Sequence, residues 1–402
     1  MTYCIGLFVI IFITYLAQKL ARFSYTFSHS GIFSFFKLHY LAYGFIITWF
    51  FPKSFLGLVE QNMGIVLTFC VSWIGFFYGC SLEIRSHEKY SPKTLLFHII
   101  EPFILFAFAA LTGTLYVYSK SNDIKSFDSV IIAAIFVSIT LYKRPEASHC
   151  NEKENPYRTV LNDLLPLRNI LGVSALCLIG IFMHGSREVV LFGHHFTGMF
   201  AVFAFHVLCG LSAGVVFSLL LGGTGTSDSL STVSVGAVAL LGGIAYTLSF
   251  SPLFVGIIAG TFLINSTLKR LQVIETISIC NEYIEIIFLF SLGALLSFEI
   301  KRDFSVLSYI IPGALGIVIL RGALKYLISF FWVSIVRGYR KGVPLLWIGL
   351  TGQGMLAAGV AVDFRLYQSH KPFSLFLLLA VMLILHEIIT GLFILKTKRR
   401  NS

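Results

Sequence analysis

The sequence predicts an all-α, polytopic membrane protein. Of its 402 residues, 56% are hydrophobic and only 12% are charged, whereas soluble domains are about a quarter charged. The mean hydropathy is +0.85, and apolar runs long enough to cross a bilayer as helices recur along the chain. This composition excludes soluble enzymes, nucleic-acid-binding proteins, and fibrous or disordered chains.

Thirteen apolar runs are candidate transmembrane helices. No soluble domain separates them, since the longest polar stretch, residues 143–158, is too short to bury a core. Residues 1–402 are therefore expected to form a single transmembrane domain. The first run lacks a preceding basic segment and a cleavage site, which favours a retained helix over a signal peptide. The runs are 2–18, 39–58, 63–82, 94–117, 128–142, 164–183, 196–221, 231–249, 251–266, 282–298, 305–332, 343–362 and 373–395.

The basic residues between these runs predict the orientation of the chain. Lys and Arg exceed Asp and Glu, giving a net charge of +11, and basic residues concentrate in cytoplasmic loops of membrane proteins. A cytoplasmic C-terminus, where Lys396, Lys398, Arg399 and Arg400 lie, puts most of the remaining basic residues in cytoplasmic gaps. With thirteen spans, the N-terminus is then outside.

The sequence shows no motif for a cofactor, a nucleotide or an enzyme. The seven cysteines contain no CxxC pair, which argues against a disulfide framework and a zinc site. Residues 222–229, GGTGTSDS, lack the lysine and the preceding strand of a phosphate-binding loop, and they are interpreted as a loop. We therefore expect no cofactor, no nucleotide or nucleic-acid partner, and no enzymatic activity.

Several ionisable side chains lie inside the apolar runs, where they are costly and usually functional. Glu101 lies in the fourth run, and Glu387 lies in the thirteenth beside His386. Arg321 and Lys325 lie four residues apart in the eleventh run, which places them on one helical face. Lys325 has the alternative of extending to the membrane interface. Arg321 is far from both ends of its run and is expected to need an internal partner.

Two runs are interrupted at membrane depth. The fifth ends early in Ser138-Ile139-Thr140, and the twelfth contains 349–354, GLTGQG, which includes Gln353. Interrupted helices at matching positions of two halves are typical of transport sites near the middle of a membrane. Close packing of small residues is the alternative for the second interruption. His206, alone in the seventh run, is interpreted as a packed or hydrogen-bonded histidine.

Five segments of the chain carry a family resemblance through their order and spacing: 39–60, 73–83 (WIGFFYGCSLE), 253–265 (LFVGIIAGTFLIN), 286–298 (IIFLFSLGALLSF) and 349–360 (GLTGQGMLAAGV). They resemble the monovalent cation:proton antiporter superfamily of bacterial inner membranes. The resemblance implies two inverted repeats, with interrupted helices that cross in a transport core beside a dimerisation scaffold. The scaffold corresponds to about residues 1–90 and 196–303, and the transport core to about 91–195 and 304–402. The resemblance also implies a homodimer in the cell inner membrane.

The chain departs from the superfamily at the ion site, where an acidic pair lies midway along the sixth helix. The matching residues here are Arg168 and Asn169. Asn169 offers an amide oxygen but cannot titrate, and Arg168 repels a cation. A second register uses Asn162-Asp163, which spells the motif but lies nearer the cytoplasmic end. Thr140 resembles the threonine of the superfamily's first interrupted helix.

Three functions follow from these residues. A Na⁺ or K⁺/proton antiporter would use Glu101 or Asp163 as the proton-carrying acid, with oxygen atoms from Thr140, Asn169 and Gln353. Arg321 would then pair with Glu101 or Glu387. An anion carrier would instead use Arg168, Arg321 and Lys325. A transport-silent relative, acting as a regulatory or sensor protein, would lock the core through an Arg168–Glu101 ion pair.

Overall fold

Nine helices make up most of the part of the chain that the structure, a computed structural model, describes. They are α1 (Leu38–Trp49), α2 (Lys53–Cys80), α3 (Met199–Gly222), α4 (Ser227–Thr247), α5 (Pro252–Ser266), α6 (Arg270–Arg302), α7 (Leu307–Ile335), α8 (Gly354–Tyr367) and α9 (Phe376–His386). Residues 102–108 are also helical. The described residues are 38–51, 53–82, 100, 102–108, 110–111, 189–191, 194–196, 199–222, 227–267, 270–302, 304–335, 354–367, 376–386 and 388.

The helices confirm the all-α polytopic class. Within the part of the chain that the structure describes, five helical segments are long and apolar enough to cross a membrane: Met63–Cys80, Phe200–Leu220, Ser229–Thr247, Arg270–Lys301 and Ile310–Ile328. A two-stranded antiparallel hairpin, β1 (Val189–Leu191) and β2 (His194–Phe196), lies in the gap before α3. The predicted runs 2–18, 128–142 and 164–183 lie outside the described residues, so the total of thirteen stays a prediction.

Three predicted boundaries differ from the observed helices. The run 39–58 is divided, because α1 ends at Trp49 and α2 begins at Lys53, and α2 then continues through the predicted gap at 59–62. Pro52 explains the break, since the residue before a proline is disfavoured in a helix. The run 282–298 is the apolar part of the 33-residue α6. Hydropathy detects the portion that crosses lipid, so it missed the polar first turns from Arg270.

Glycines allow α2 and α5 to cross at very short range. Gly75 and Gly79 lie one turn apart on α2, and Gly256 and Gly260 repeat the spacing on α5. A Cβ added at Gly256 would overlap the carbonyl of Ser72, and one added at the other three would meet backbone of the opposite helix. Small residues spaced in this way are what allow membrane helices to approach closely. The crossing forms the centre of the buried core.

α8 packs against this crossing. Its Gly359 faces Ile74 of α2 and Leu253 of α5, because an added Cβ would lie 3.3 Å from Ile74 Cγ2 and 3.5 Å from Leu253 Cδ1. Leu253 and Ile74 are both buried. We call this apolar contact of α8 with α2 and α5 the seam.

Polar contacts join the helix ends in two separate groups. Lys301 Nζ donates to the carbonyl oxygens of Thr48 (3.3 Å) and Phe51 (3.2 Å), which joins the end of α6 to the end of α1. Asn265 Nδ2 donates to the carbonyl of Leu82 (2.9 Å), which joins the end of α5 to the end of α2. The charge pattern assigns the first group to the non-cytoplasmic side and the second to the cytoplasm. The contacts agree with this alternation, and the direction of the chain stays a prediction.

Candidate functional site

A stripe of buried residues runs along α7 and ends in two cations. Ile310, Ala314, Val318, Arg321 and Lys325 are buried, at the spacing of three to four residues that places them on one helical face. Much of the rest of α7 is exposed, as expected for a helix in contact with lipid. Arg321 and Lys325 are both 0% exposed. Their long side chains therefore lie inside the bundle, as predicted for Arg321.

His386 of α9 lies beside these two cations. Its ring is buried and is close enough to Arg321 and Lys325 to interact with both charges. Nδ1 lies 3.2 Å from the carbonyl oxygen of Met382. Within the described residues, Nε2 of His386 has no hydrogen-bond partner. α7 and α9 thus meet at a buried polar centre that contains two cationic side chains, inside the predicted transport core.

Buried cations such as Arg321 and Lys325 need anionic compensation, because an isolated charge in an apolar interior costs several kcal/mol or more. The predicted acids, Glu101 and Glu387, are outside the residues that the structure describes. Their pairing with Arg321 therefore stays a prediction. The other predicted ion-site residues also lie outside the described ranges: Thr140, Asp163, Arg168, Asn169 and Gln353.

A second polar cluster, at the start of α5, was not predicted. The chain turns between α4 and α5 with Ser249 in the left-handed region, at φ 55°. Ser251 then caps α5, since its Oγ accepts a hydrogen bond from the Phe254 N–H (3.2 Å), and Pro252 occupies the first helical turn. A serine cap followed by proline is a strong signal for a helix start. This arrangement fixes the position of the Ser251 side chain.

Asp363 of α8 binds this helix start. Its Oδ2 accepts a hydrogen bond from Ser251 Oγ (2.7 Å), and its Oδ1 accepts one from the Leu253 N–H (3.3 Å). Asp363 and Ser251 are both buried. The carboxylate also lies at the positive end of the α5 dipole, which favours a negative charge. Asp363 therefore joins the last turns of α8 to the first turn of α5.

His206 of α3 completes the cluster from the other side of Ser251. The Ser251 backbone N–H donates to His206 Nε2 (3.0 Å), so this nitrogen carries no proton. The proton of a neutral imidazole then lies on Nδ1, which is 2.7 Å from the carbonyl oxygen of Val202 and donates to it. The interpretation of His206 as a hydrogen-bonded histidine is confirmed.

An ion pair lies two residues beyond Asp363. Arg365 donates from Nε (3.2 Å) and Nη2 (3.0 Å) to Oε1 of Glu299 on α6. Glu299 is 1% exposed and Arg365 is 26% exposed. The last turn of α8 is therefore attached to both α5 and α6.

The chemistry of these clusters differs. The described residues contain no group of three or more His, Cys, Asp or Glu side chains that could hold a metal ion. Asp363 faces hydrogen-bond donors and a helix N-terminus, so it acts as a hydrogen-bond acceptor between α8 and α5. The α7–α9 centre instead places two long cationic side chains, Arg321 and Lys325, within the bundle.

Comparison with solved structures identifies the fold. The chain is similar to the sodium proton antiporter MjNhaP1 from Methanocaldococcus jannaschii, determined at pH 8, with a TM-score of 0.65 and 12% sequence identity. The match covers 97% of this chain and 100% of that chain. The chain has the fold of a sodium/proton antiporter. No family model and no curated protein matches the sequence.

The antiporter fold agrees with the sequence resemblance. It was the order of five weak segments that indicated this fold, and no single motif among them was decisive. The similarity extends over nearly the whole chain, as the spacing of those segments required. The subdivision into a transport core and a scaffold stays a prediction for this chain.

Proposed function

We propose that the chain is a secondary active transporter that exchanges Na⁺ or K⁺ for protons across a membrane. The fold likeness to a sodium proton antiporter over 97% of the chain carries this proposal. The buried Arg321 and Lys325 support it, because keeping two cations away from water inside a membrane bundle is costly and usually serves a function. Packing alone would not require them.

The cation site would lie in the transport core, between the two interrupted segments. Thr140, Asn169 and Gln353 would supply oxygen atoms, and Glu101 or Asp163 would carry the proton. Arg321 would balance the acid when it is charged, with Glu387 as a second partner. Exchange is obligatory when cation and proton compete for one carboxylate, because the empty charged site cannot cross the membrane cheaply.

Proteoliposomes with a preset pH gradient test the proposal. Na⁺, K⁺ and Li⁺ salts are added in turn at two pH values, and a pH-sensitive dye reports loss of the gradient. We expect a saturable response to at least one cation. Choline chloride is the control, because it supplies the same anion without a small cation. A response to choline chloride of equal size would indicate an anion pathway instead.

A second candidate is a transport-silent relative with a regulatory role, which the resemblance suggests if Arg168-Asn169 takes the place of the superfamily's acidic pair. In that case Arg168 acts as a plug, and folded wild-type protein gives no response to any salt. The double variant Arg168→Asn, Asn169→Asp would then restore a cation response. A folded double variant that stays silent would count against the plug.

A further inference from the structure

Two polar contacts attach the last turn of α8 to neighbouring helices at one end of the bundle. Asp363 binds Ser251 and the Leu253 N–H of α5, and Arg365 binds Glu299 of α6. α8 belongs to the predicted transport core, whereas α5 and α6 belong to the predicted scaffold. Both contacts therefore cross the boundary along which the two parts would move.

These contacts are well suited to hold a surface closed. Each includes a charged partner, and charge-assisted hydrogen bonds are about twice as strong as neutral ones. Asp363 and Glu299 are buried, so breaking either contact removes a hydrogen-bond donor from a buried carboxylate. The rest of the seam consists of apolar contacts, which have no directional hydrogen bonds to break when the helices separate.

From Asp363 toward the start of α8, the seam that we describe is apolar. Gly359 lies one turn before Asp363 on α8 and faces Ile74 and Leu253. Helix surfaces of this kind separate without breaking hydrogen bonds. The directional interactions that we find between α8 and the scaffold thus lie at its end, where water would enter.

We propose that Asp363 and Arg365 form a latch, which closes the seam at this end of the bundle and opens it to water when released. Its part in a transport cycle rests on the proposed function, since alternating access requires each end to open in turn. The charge pattern assigns this end to the non-cytoplasmic side.

Lys301 offers a matched control at the same end. It also donates two hydrogen bonds, to Thr48 and Phe51, and it lies 5.4 Å from the centre of the Trp49 ring. These contacts join α6 to α1, which are both in the predicted scaffold. Lys301→Gln removes one positive charge without touching α8.

The test measures water access to the seam. Leu253→Cys is introduced after replacement of the seven native cysteines, since Leu253 is buried beside Gly359. A membrane-impermeant thiol reagent is added to intact cells and, separately, to inverted vesicles. Asp363→Asn and Arg365→Gln should each accelerate labelling in intact cells by about tenfold, the change in open population that about 1.4 kcal/mol produces. Lys301→Gln should leave the rate unchanged.

Three results would overturn the latch. They are equal labelling in all variants, equal acceleration by Lys301→Gln, and acceleration only in inverted vesicles. Loss of folded protein in both latch variants, with Lys301→Gln intact, would identify the contacts as permanent structure and would also overturn it. Labelling does not require cation exchange, so a failed latch and a failed antiporter are distinguishable.

Discussion

Ser251 connects three helices, so its hydroxyl should contribute more to stability than a single hydrogen bond. Ser251→Ala removes the acceptor that caps the Phe254 N–H and the donor to Asp363 Oδ2. Loss of a serine cap costs about 0.5–2 kcal/mol. A buried acceptor left without its donor costs about 1–3 kcal/mol, and more when it is charged. We therefore expect the free energy of unfolding to fall by about 1.5–5 kcal/mol.

Titration of the purified protein in mixed micelles with sodium dodecyl sulfate, followed by circular dichroism, measures this loss. Ser266→Ala is the matched control, because Ser266 lies at the other end of α5 with an exposed hydroxyl that bonds Ser218 and Leu263. Its effect should stay within about 0.5 kcal/mol. If Ser251→Ala and Ser266→Ala were equally stable, Ser251 would not hold α8 and α5 together as described.

Three further changes test other parts of the molecule. Gly256→Ala should destabilise the protein by about 1–3 kcal/mol through the overlap of its Cβ with the Ser72 carbonyl. Gly236→Ala is the control, since it has open space at Cβ and should be neutral or stabilising; equal thermal midpoints of the two variants would refute the tight crossing of α2 and α5. Glu101→Gln should abolish pH-dependent cation flux in proteoliposomes, and Glu275→Gln on the exposed start of α6 should not; unchanged flux would remove Glu101 from the mechanism. Arg321→Gln should cost about 3–5 kcal/mol by stranding a buried acid, and it should reduce the yield of monodisperse protein. A normal yield would contradict the buried pair.

The sequence predicts most of the described helices because lipid imposes a simple rule on length and polarity. α3, α4, α5 and α7 follow their apolar runs closely. The break at Pro52 and the long start of α6 were missed, because hydropathy marks the part of a helix in lipid and not its ends. Local sequence sets those ends: a proline precedes α2, and polar residues occupy the first turns of α6.

The latch was missed for a different reason. Asp363 and Ser251 lie 112 positions apart, so no local pattern relates them. The Ser-Pro pair at 251–252 did carry a cap signal, and Asp363 followed an apolar run without an obvious partner. The spacing of four residues places Arg321 and Lys325 on one helical face, and the depth of Arg321 in its run predicts an internal position for it. The sequence left the position of Lys325 open, and the structure shows both side chains buried. Contacts between distant segments, in contrast, require the fold.

Coupled exchange of a cation for protons can be measured as accumulation of the cation driven by a pH gradient. Radiolabelled Na⁺ or Rb⁺, the latter in place of K⁺, is supplied outside proteoliposomes with an acidic interior. We expect the label to accumulate inside above its external concentration, and a proton-conducting ionophore combined with equal, buffered pH on both sides should abolish the accumulation. Uptake no greater than in protein-free liposomes, from protein shown to be folded and inserted, would contradict coupled exchange.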